Sequence, residues 1–510
     1  MFAKLHSAGL FGMDAFPVET EVFISGGLPA FDIVGLPDAA VKESRERVRA
    51  VIKNLGLDYP ASRITVNLAP ADIRKEGPVY DLPIFLAVAA ATGVFPAPGD
   101  DCAFLGELSL LGELRPANGV LPMAIALRDA GFRRFFVPEH NAAEAAAVEG
   151  LTVFGVTNAA QLISHFKGDD TLSPTPPQSR PAASREQALD FADVRGQTMA
   201  KRAMEITAAG GHNILLIGPP GSGKSMLAKR LPSILPAMTA EEATETTKLH
   251  SIAGALPPGG PFVTERPFRA PHHTISAGGL SGGGSIPRPG ELSLANNGVL
   301  FLDELPEFSR ASMEILRQPL EDGCITISRA AGSLTYPCHV TLVAAMNPCP
   351  CGFFGHPTKP CTCSKAAVSR YLSRVSGPLL DRFDLHVEVP PVEFESLASS
   401  EPAEPSSAIR ARVDRAREVQ NQRYEGAGVT CNARLPSALL HEVCVLTPAA
   451  SGLLQRAFDR LGLSARAYDR ILKVARTIAD LDEADAIDTG HISEAVQYRS
   501  LDRKYWHAGE

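Results

Sequence analysis

Three short apolar runs in the middle of the chain each end in polar residues. Asn213-Ile214-Leu215-Leu216-Ile217-Gly218 leads into a glycine-rich turn and then into SMLAKRLPSIL, whose apolar positions recur at helical spacing, so the order is strand, loop, helix. GVLFLDEL (298–305) and HVTLVAAMN (339–347) are continuous apolar runs, as expected of parallel strands buried on both faces with their chemistry at the carboxyl ends. An α/β core is predicted. CITISRAAGSLTYPCHV (324–340) alternates into and out of a small polar turn, which predicts a hairpin with Arg329 at its tip.

Periodicity vanishes over GDDTLSPTPPQSRPAASREQ (168–187) and again over ESLASSEPAEPSS (395–407), and beyond the second stretch the pattern reads as helices. The predicted domains are therefore 1–167, 188–394 and 408–510, with a linker at 168–187. A length of 510 residues agrees with about three domains. No repeat of fixed period is visible, which argues against a solenoid or a propeller.

Composition is that of an ordinary packed protein, 45% apolar and 21% charged, which excludes wholesale disorder, collagen-like repeats and coiled coils. The net charge, 49 − 57 = −8, requires any nucleic-acid contact to rest on a local basic surface. The first residues, MFAKLHSAGLFGMDAF, lack a basic head and an apolar core, and no 18-residue apolar run follows. A cytoplasmic location without membrane contact is expected.

Gly218-Pro219-Pro220-Gly221-Ser222-Gly223-Lys224-Ser225 fills the G-x-x-x-x-G-K-[ST] pattern between a strand and a helix. Glycines there let backbone N–H groups converge on phosphate oxygens, Lys224 reaches the β/γ-phosphates, and the Ser225 hydroxyl ligates Mg²⁺, so ATP with Mg²⁺ is the expected ligand. A second strand must bring a carboxylate to that metal. Val299-Leu300-Phe301-Leu302-Asp303-Glu304 does so: Asp303 emerges toward Mg²⁺, and Glu304 is placed to polarise water, which predicts hydrolysis and not binding alone.

Of nine cysteines, Cys349, Cys351, Cys361 and Cys363 form two C-x-C pairs within one short loop. They could supply four thiolates to tetrahedral Zn²⁺, with His356 able to replace one sulfur, or remain reduced thiols.

On GPPGSGKS, VLFLDEL, the Asn347 that ends LVAAMN and the DVRGQ opening (193–197), the chain resembles AAA+ ATPases. RPFRAPHHTIS (266–276), GELSLANNGVLFLDE (290–304), NPCPCG (347–352) and SGPLLDRFDLHVEVP (376–390) narrow the resemblance to the magnesium-chelatase-like family, over nearly the whole chain. The resemblance implies a ring-forming, hexameric ATPase and, for one branch of the family, a DNA helicase promoting branch migration in recombination during natural transformation. A metal-insertion ATPase and a protein-remodelling chaperone are the alternatives. It also implies site roles: Asn347 as the residue orienting water near the γ-phosphate, and Arg382 as the arginine presented to a neighbouring subunit's ATP, with an intrachain pair to Asp381 or Asp384 as its alternative. Arg466 is similar to the lid arginine, with Arg470 competing for that role.

Relatives of this type insert loops into a central pore. The segment from Arg266 and Arg269 through His272 and His273 into GGLSGGGSIPRPG, and the hairpin carrying Arg329, suit that role; six copies would line a basic channel for the phosphates of branched or single-stranded DNA. The arginine-rich stretch 408–423 reads as a solvated or inter-subunit face. Finally, DIRKEGPVYDLPIFLAVAAATG and GELSLLGELRPANGVLPMAIALRDAG resemble the proteolytic domain of Lon, an α+β domain. Val79 stands at the nucleophile position and Leu121 at the lysine position, so protease activity is expected to be absent.

Overall fold

The computed structural model describes residues 1–178, 189–256, 260, 262–284, 287–329, 332–392, 403–499, 501 and 505–506. The expected hairpin turn at Ala330 and Ala331, part of each expected linker, and two residues of the glycine-rich segment lie outside the described residues. The chain has a mixed α/β fold and divides into two compact units. The first comprises Met1–Ala182, Ala240–Thr264 and Ser328–Tyr336; the second comprises Ala183–Thr239, Glu265–Ile327 and Pro337–Glu510.

In the first unit, strands β1 (Phe2–Phe11), β2 (Asp14–Ser25), β3 (Ala30–Val34), β4 (Arg63–Ala69), β5 (Cys102–Phe104), β8 (Arg134–Pro138) and β9 (Thr152–Val156) form a seven-stranded sheet, with the short pair β6 (Glu107–Leu108) and β7 (Leu114–Arg115) beside it in sequence. The order β3-β4-β2-β1-β5-β8-β9 joins an antiparallel β4-β2-β1 centre to a parallel half. Helix Asp81–Ala91 has no polar stripe and is buried from Asp81 to Ala89, as an all-apolar helix must be. The exception, Asp81, is held by Arg47 Nε at 2.6 Å and the Leu108 N–H at 3.1 Å. Val79 lies in the turn Pro78–Tyr80, and Leu121 is buried in helix Val120–Asp129. Lys75 is also buried, its amine donating to the carbonyls of Pro70 and of Ile73, the latter at 2.8 Å.

The second unit is built on five parallel strands: β10 (Ile214–Ile217), β11 (Phe268–Arg269), β14 (Val299–Leu302), β17 (Thr341–Met346) and β18 (Leu385–Glu388), in the order β11-β14-β17-β10-β18. In sequence, the short pair β12 (Gly282–Gly283) and β13 (Arg288–Pro289) falls between β11 and β14, and the hairpin β15 (Cys324–Arg329) with β16 (Gly332–Pro337) falls between β14 and β17, its Ser328–Tyr336 stretch belonging to the first unit. All four residues of β10 and of β14 are buried, which explains why these runs show no alternation. Register pairs Ile217 with Met346 and Leu302 with Ala344, so the residues leaving β10, β14 and β17 emerge at one edge of the sheet.

Helices Ser406–Arg423, Pro448–Leu461, Ala465–Leu481 and Thr489–Gln497 form the C-terminal part. They share one hydrophobic core with the sheet: Ile471, Leu472, Val474 and Ile478 belong to the same buried cluster as Ile214, Leu216 and Val343. Ser406 fastens the first of these helices by accepting the Phe191 N–H at 2.8 Å. No helix among the described residues is long and apolar enough to cross a membrane.

Candidate nucleotide site

The glycine-rich turn begins where β10 ends, and Gly223, at φ +93°, takes a left-handed conformation that a side chain would disfavour, just before helix Lys224–Arg230. Residues 220–226 with Asp303, Glu304, Met346 and Asn347 line an open cleft of about 400 Å³. Lys224 Nζ donates to the carbonyls of Gly218 (2.7 Å) and Pro219 (2.9 Å) and to Asn347 Oδ1 (3.2 Å). Burial pushes its pKa down to about 8, although Asp303 and Glu304 pull the other way. Ser225 Oγ donates to Asp303 Oδ2 at 2.6 Å. Hydroxyl and carboxylate are hard oxygen donors of the kind Mg²⁺ takes. Ser222 Oγ is buried without a hydrogen-bond partner among the described residues. This donor set fits a phosphate chain with its divalent ion.

Glu304 turns the chain out of β14. It is a non-glycine residue at φ +53°, a conformation worth roughly 1–2 kcal/mol of strain, and its N–H donates to Asp303 Oδ1 at 2.9 Å. The turn aims Asp303 back at Ser225 and leaves the Glu304 side chain 58% exposed in the cleft.

Two neighbours of this site were not picked out as such from the sequence. His273 Nδ1 lies 3.5 Å from Glu304 Oε2, because β11, which precedes it, pairs with β14. Gln197 Nε2 donates to the carbonyls of Ser222 (3.2 Å) and Pro390 (2.7 Å), tying the DVRGQ segment to the phosphate loop. Its φ of +55° marks a strained position, but no side-chain pattern would have announced it.

Arg382 does not line this cleft. With Arg466, Arg470 and Lys473 it borders a separate cavity of about 530 Å³. Arg382 is buried, and its intrachain partner is Glu321, at 2.5 Å, in place of the Asp381 or Asp384 pair considered from sequence. Arg470 Nε faces Asp384 at 3.6 Å, whereas Arg466 is exposed. Burial would raise the Asp384 carboxyl, but His212 Nδ1 at 3.2 Å, Arg470 and the Asn213 N–H at 3.1 Å bring its pKa down to about 2.

The basic segments differ from expectation. Arg266 donates to the carbonyls of Pro236 (2.6 Å) and Asn297 (2.7 Å), and Arg269 makes a two-pronged pair with Glu291 at 2.7 Å. Both guanidiniums therefore serve the fold and are not open cations for a pore. In the 408–423 helix, Arg412 pairs with Glu205, Arg415 with Glu483 and Arg423 with Asp480, as a structural face would. Cys349, Cys351, Cys361 and Cys363 converge, with all four sulfurs within 4.8 Å of one another. His356 is not among them: its Nδ1 accepts the N–H groups of Thr358 (3.1 Å) and Lys359 (3.0 Å) and braces the loop turn instead.

Comparison with known proteins gives matches along most of the chain. Residues 190–397 match the family described as magnesium chelatase, subunit ChlI; residues 20–141 match subunit ChlI of Mg-chelatase; residues 403–499 match the ChlI C-terminal family. The chain is 44% identical to YifB of Escherichia coli over 99% of its own length and 98% of the relative's. It is 44% identical to competence protein ComM of Haemophilus influenzae, covering 98% of each chain. A Mycobacterium tuberculosis protein is 42% identical over 97% of this chain and 98% of its own.

Proposed function

This chain belongs to the magnesium-chelatase-like AAA+ ATPase family that includes YifB and the competence protein ComM, and from that premise we propose that it is an ATP-hydrolysing, hexameric ring motor acting on DNA, a branch-migration helicase in recombination during natural transformation. The function rests on one contact above others: Ser225 Oγ on Asp303 Oδ2 at 2.6 Å, with Glu304 next in the chain and open to the cleft. A glycine turn that merely capped a helix would have no reason to hold a carboxylate against its serine.

Ser225 and Asp303 would hold Mg²⁺, which when bound offsets negative charge on the phosphoryl oxygens. Backbone N–H groups of residues 221–225 cradle the phosphates. Lys224 exchanges its carbonyl partners on Gly218 and Pro219 for β/γ-phosphate oxygens of the substrate. Glu304 takes the proton of the attacking water, and Asn347, already fixed on Lys224, orients that water. Arg382 borders a cavity that shares no residue with the cleft, so in this scheme it stabilises charge on a neighbouring subunit's ATP, while Arg466, with Arg470 competing for the role, is the lid arginine that reaches phosphate. The cofactor of this scheme is Mg²⁺.

DNA as the substrate is supported by the competence relative. Arg266 and Arg269 are engaged internally, and the expected contact through Arg329 rests on the sequence, its side chain lying outside what the structure describes. The test is ATP turnover with four-way junctions, single strands, unfolded protein or no polymer, across a salt series. Junctions should raise turnover and migrate, and the effect should fade with salt. Stimulation by protein alone would overturn the DNA assignment. A metal-insertion ATPase is the second reading, favoured by the three chelatase-family matches, and turnover indifferent to both polymers would select it.

A further inference from the structure

The four-cysteine loop has metal-site geometry, and it is built onto the phosphate loop. Cys349 Sγ lies 3.4 Å from Cys351 Sγ and 3.7 Å from Cys361 Sγ, and the last two are 3.6 Å apart. A disulfide would need about 2.05 Å. A tetrahedral ion with Zn–S bonds of about 2.3 Å sets sulfur–sulfur edges near 3.8 Å, close to what is seen. Cys349 is fully buried and accepts the Phe354 N–H at 3.3 Å, the kind of support that steadies a metal-bound thiolate. Two C-x-C pairs converge within one short loop, where an ion would supply the cross-link that ties them together.

The same loop abuts the nucleotide cleft in two places. Asn347, two residues before Cys349, accepts from Lys224. Gly352, immediately after the first cysteine pair and at φ +84°, lies flush on the phosphate loop: a Cβ there would sit 2.4 Å from Pro220 Cδ and 2.7 Å from its Cγ. On its other side, Phe354 meets the Tyr505 ring at 6.4 Å, and Tyr505 donates to Glu388 at 3.0 Å, at the end of β18.

We propose that Cys349, Cys351, Cys361 and Cys363 bind one Zn²⁺ as a tetrathiolate and that this ion clamps the nucleotide cleft, holding Gly352 against Pro220 and Asn347 against Lys224. Binding converts four thiols to thiolates and releases their protons to solvent. The metal half stands on sulfur geometry alone; the clamp half rests on the ATPase assignment above.

Zinc per chain is measured on the full-length protein purified without chelator, by elemental analysis and by release with a thiol-modifying reagent. One ion per chain is expected, and Co²⁺ exchanged into the site should show the absorption of a tetrahedral tetrathiolate. A fluorescent ATP analogue is then titrated into native, stripped and Zn²⁺-restored protein, with circular dichroism as the check on folding. Stripping should weaken binding about tenfold, the loss typical of removing a supporting shell, and restoration should reverse it. Gly352→Ala should keep its zinc yet bind the analogue more weakly, whereas Cys361→Ser should lose both. Absence of zinc, together with failure of the full-length protein to take up Co²⁺, overturns the metal site. One zinc per chain with nucleotide affinity unchanged on stripping overturns the clamp. Lys224→Ala binding the analogue as well as the parent would instead sink the ATP site itself, whatever the zinc content.

Discussion

Lys224 Nζ, on the helix that follows β10, donates to Asn347 Oδ1, just past the end of β17, at 3.2 Å. Two residues far apart in sequence thus meet where a γ-phosphate would lie, and each has a distinct expected failure. Asn347→Ala removes the group proposed to orient water while leaving the glycine-rich turn intact. Hydrolysis should fall about a hundredfold with nucleotide affinity little changed, as single-turnover and binding measurements would show. Equal loss of both would mean that Asn347 supports the cleft and not the chemistry.

Glu304 combines a reactive carboxylate with a left-handed backbone. Glu304→Gln should hold ATP without turning it over. Glu304→Gly should be equally inactive but more stable than the glutamine variant by about 1 kcal/mol in chemical denaturation, because glycine adopts that conformation without strain. Parental turnover in the glutamine variant would remove Glu304 from its role as base.

Burial lowers Lys224 to about 8, so the empty cleft loses its cation as pH rises past that value. Bound phosphate favours the charged amine, and nucleotide binding above pH 8 must therefore take up a proton. Affinity at pH 9 should be about tenfold weaker than at pH 7, with proton uptake detected by calorimetry in buffers of different ionisation enthalpy. Lys224→Ala should bind weakly and without this pH dependence.

Asp384 ties the start of β18 to His212 and Arg470. Its folded pKa of about 2 lies below the ordinary carboxyl value, so its contribution to stability is present above pH 4 and disappears as pH falls toward 2. Asp384→Asn should destabilise the second unit by roughly 2–3 kcal/mol at neutral pH, read from denaturant midpoints, and by progressively less in acid.

The cavity that Arg382 borders and the nucleotide cleft share no lining residue. If subunits share each ATP, mixing the inactive variants Lys224→Ala and Arg382→Ala should restore part of the turnover, since some interfaces then carry an intact pair. Mixtures as inactive as their components would place Arg382 in an intrachain role with Glu321.

Local pattern in the sequence determined the nucleotide cleft. A phosphate loop is one continuous segment, and buried parallel strands announce themselves as unbroken apolar runs, so it was legible without coordinates that Lys224, Ser225 and Asp303 would share a cleft, while Asn347 joined them through the family resemblance. The four cysteines were legible as a cluster for the same reason, since one short loop contains them. Partnership across the chain was decided only by tertiary structure. Arg266 and Arg269 read as free cations in a glycine-rich segment, but which carbonyl or carboxylate a guanidinium meets depends on packing. Arg382 found Glu321 and not its sequence neighbours, and His273 reached Glu304 through the pairing of β11 with β14. Such contacts join residues with no fixed spacing along the chain, so periodicity and motif carry no trace of them.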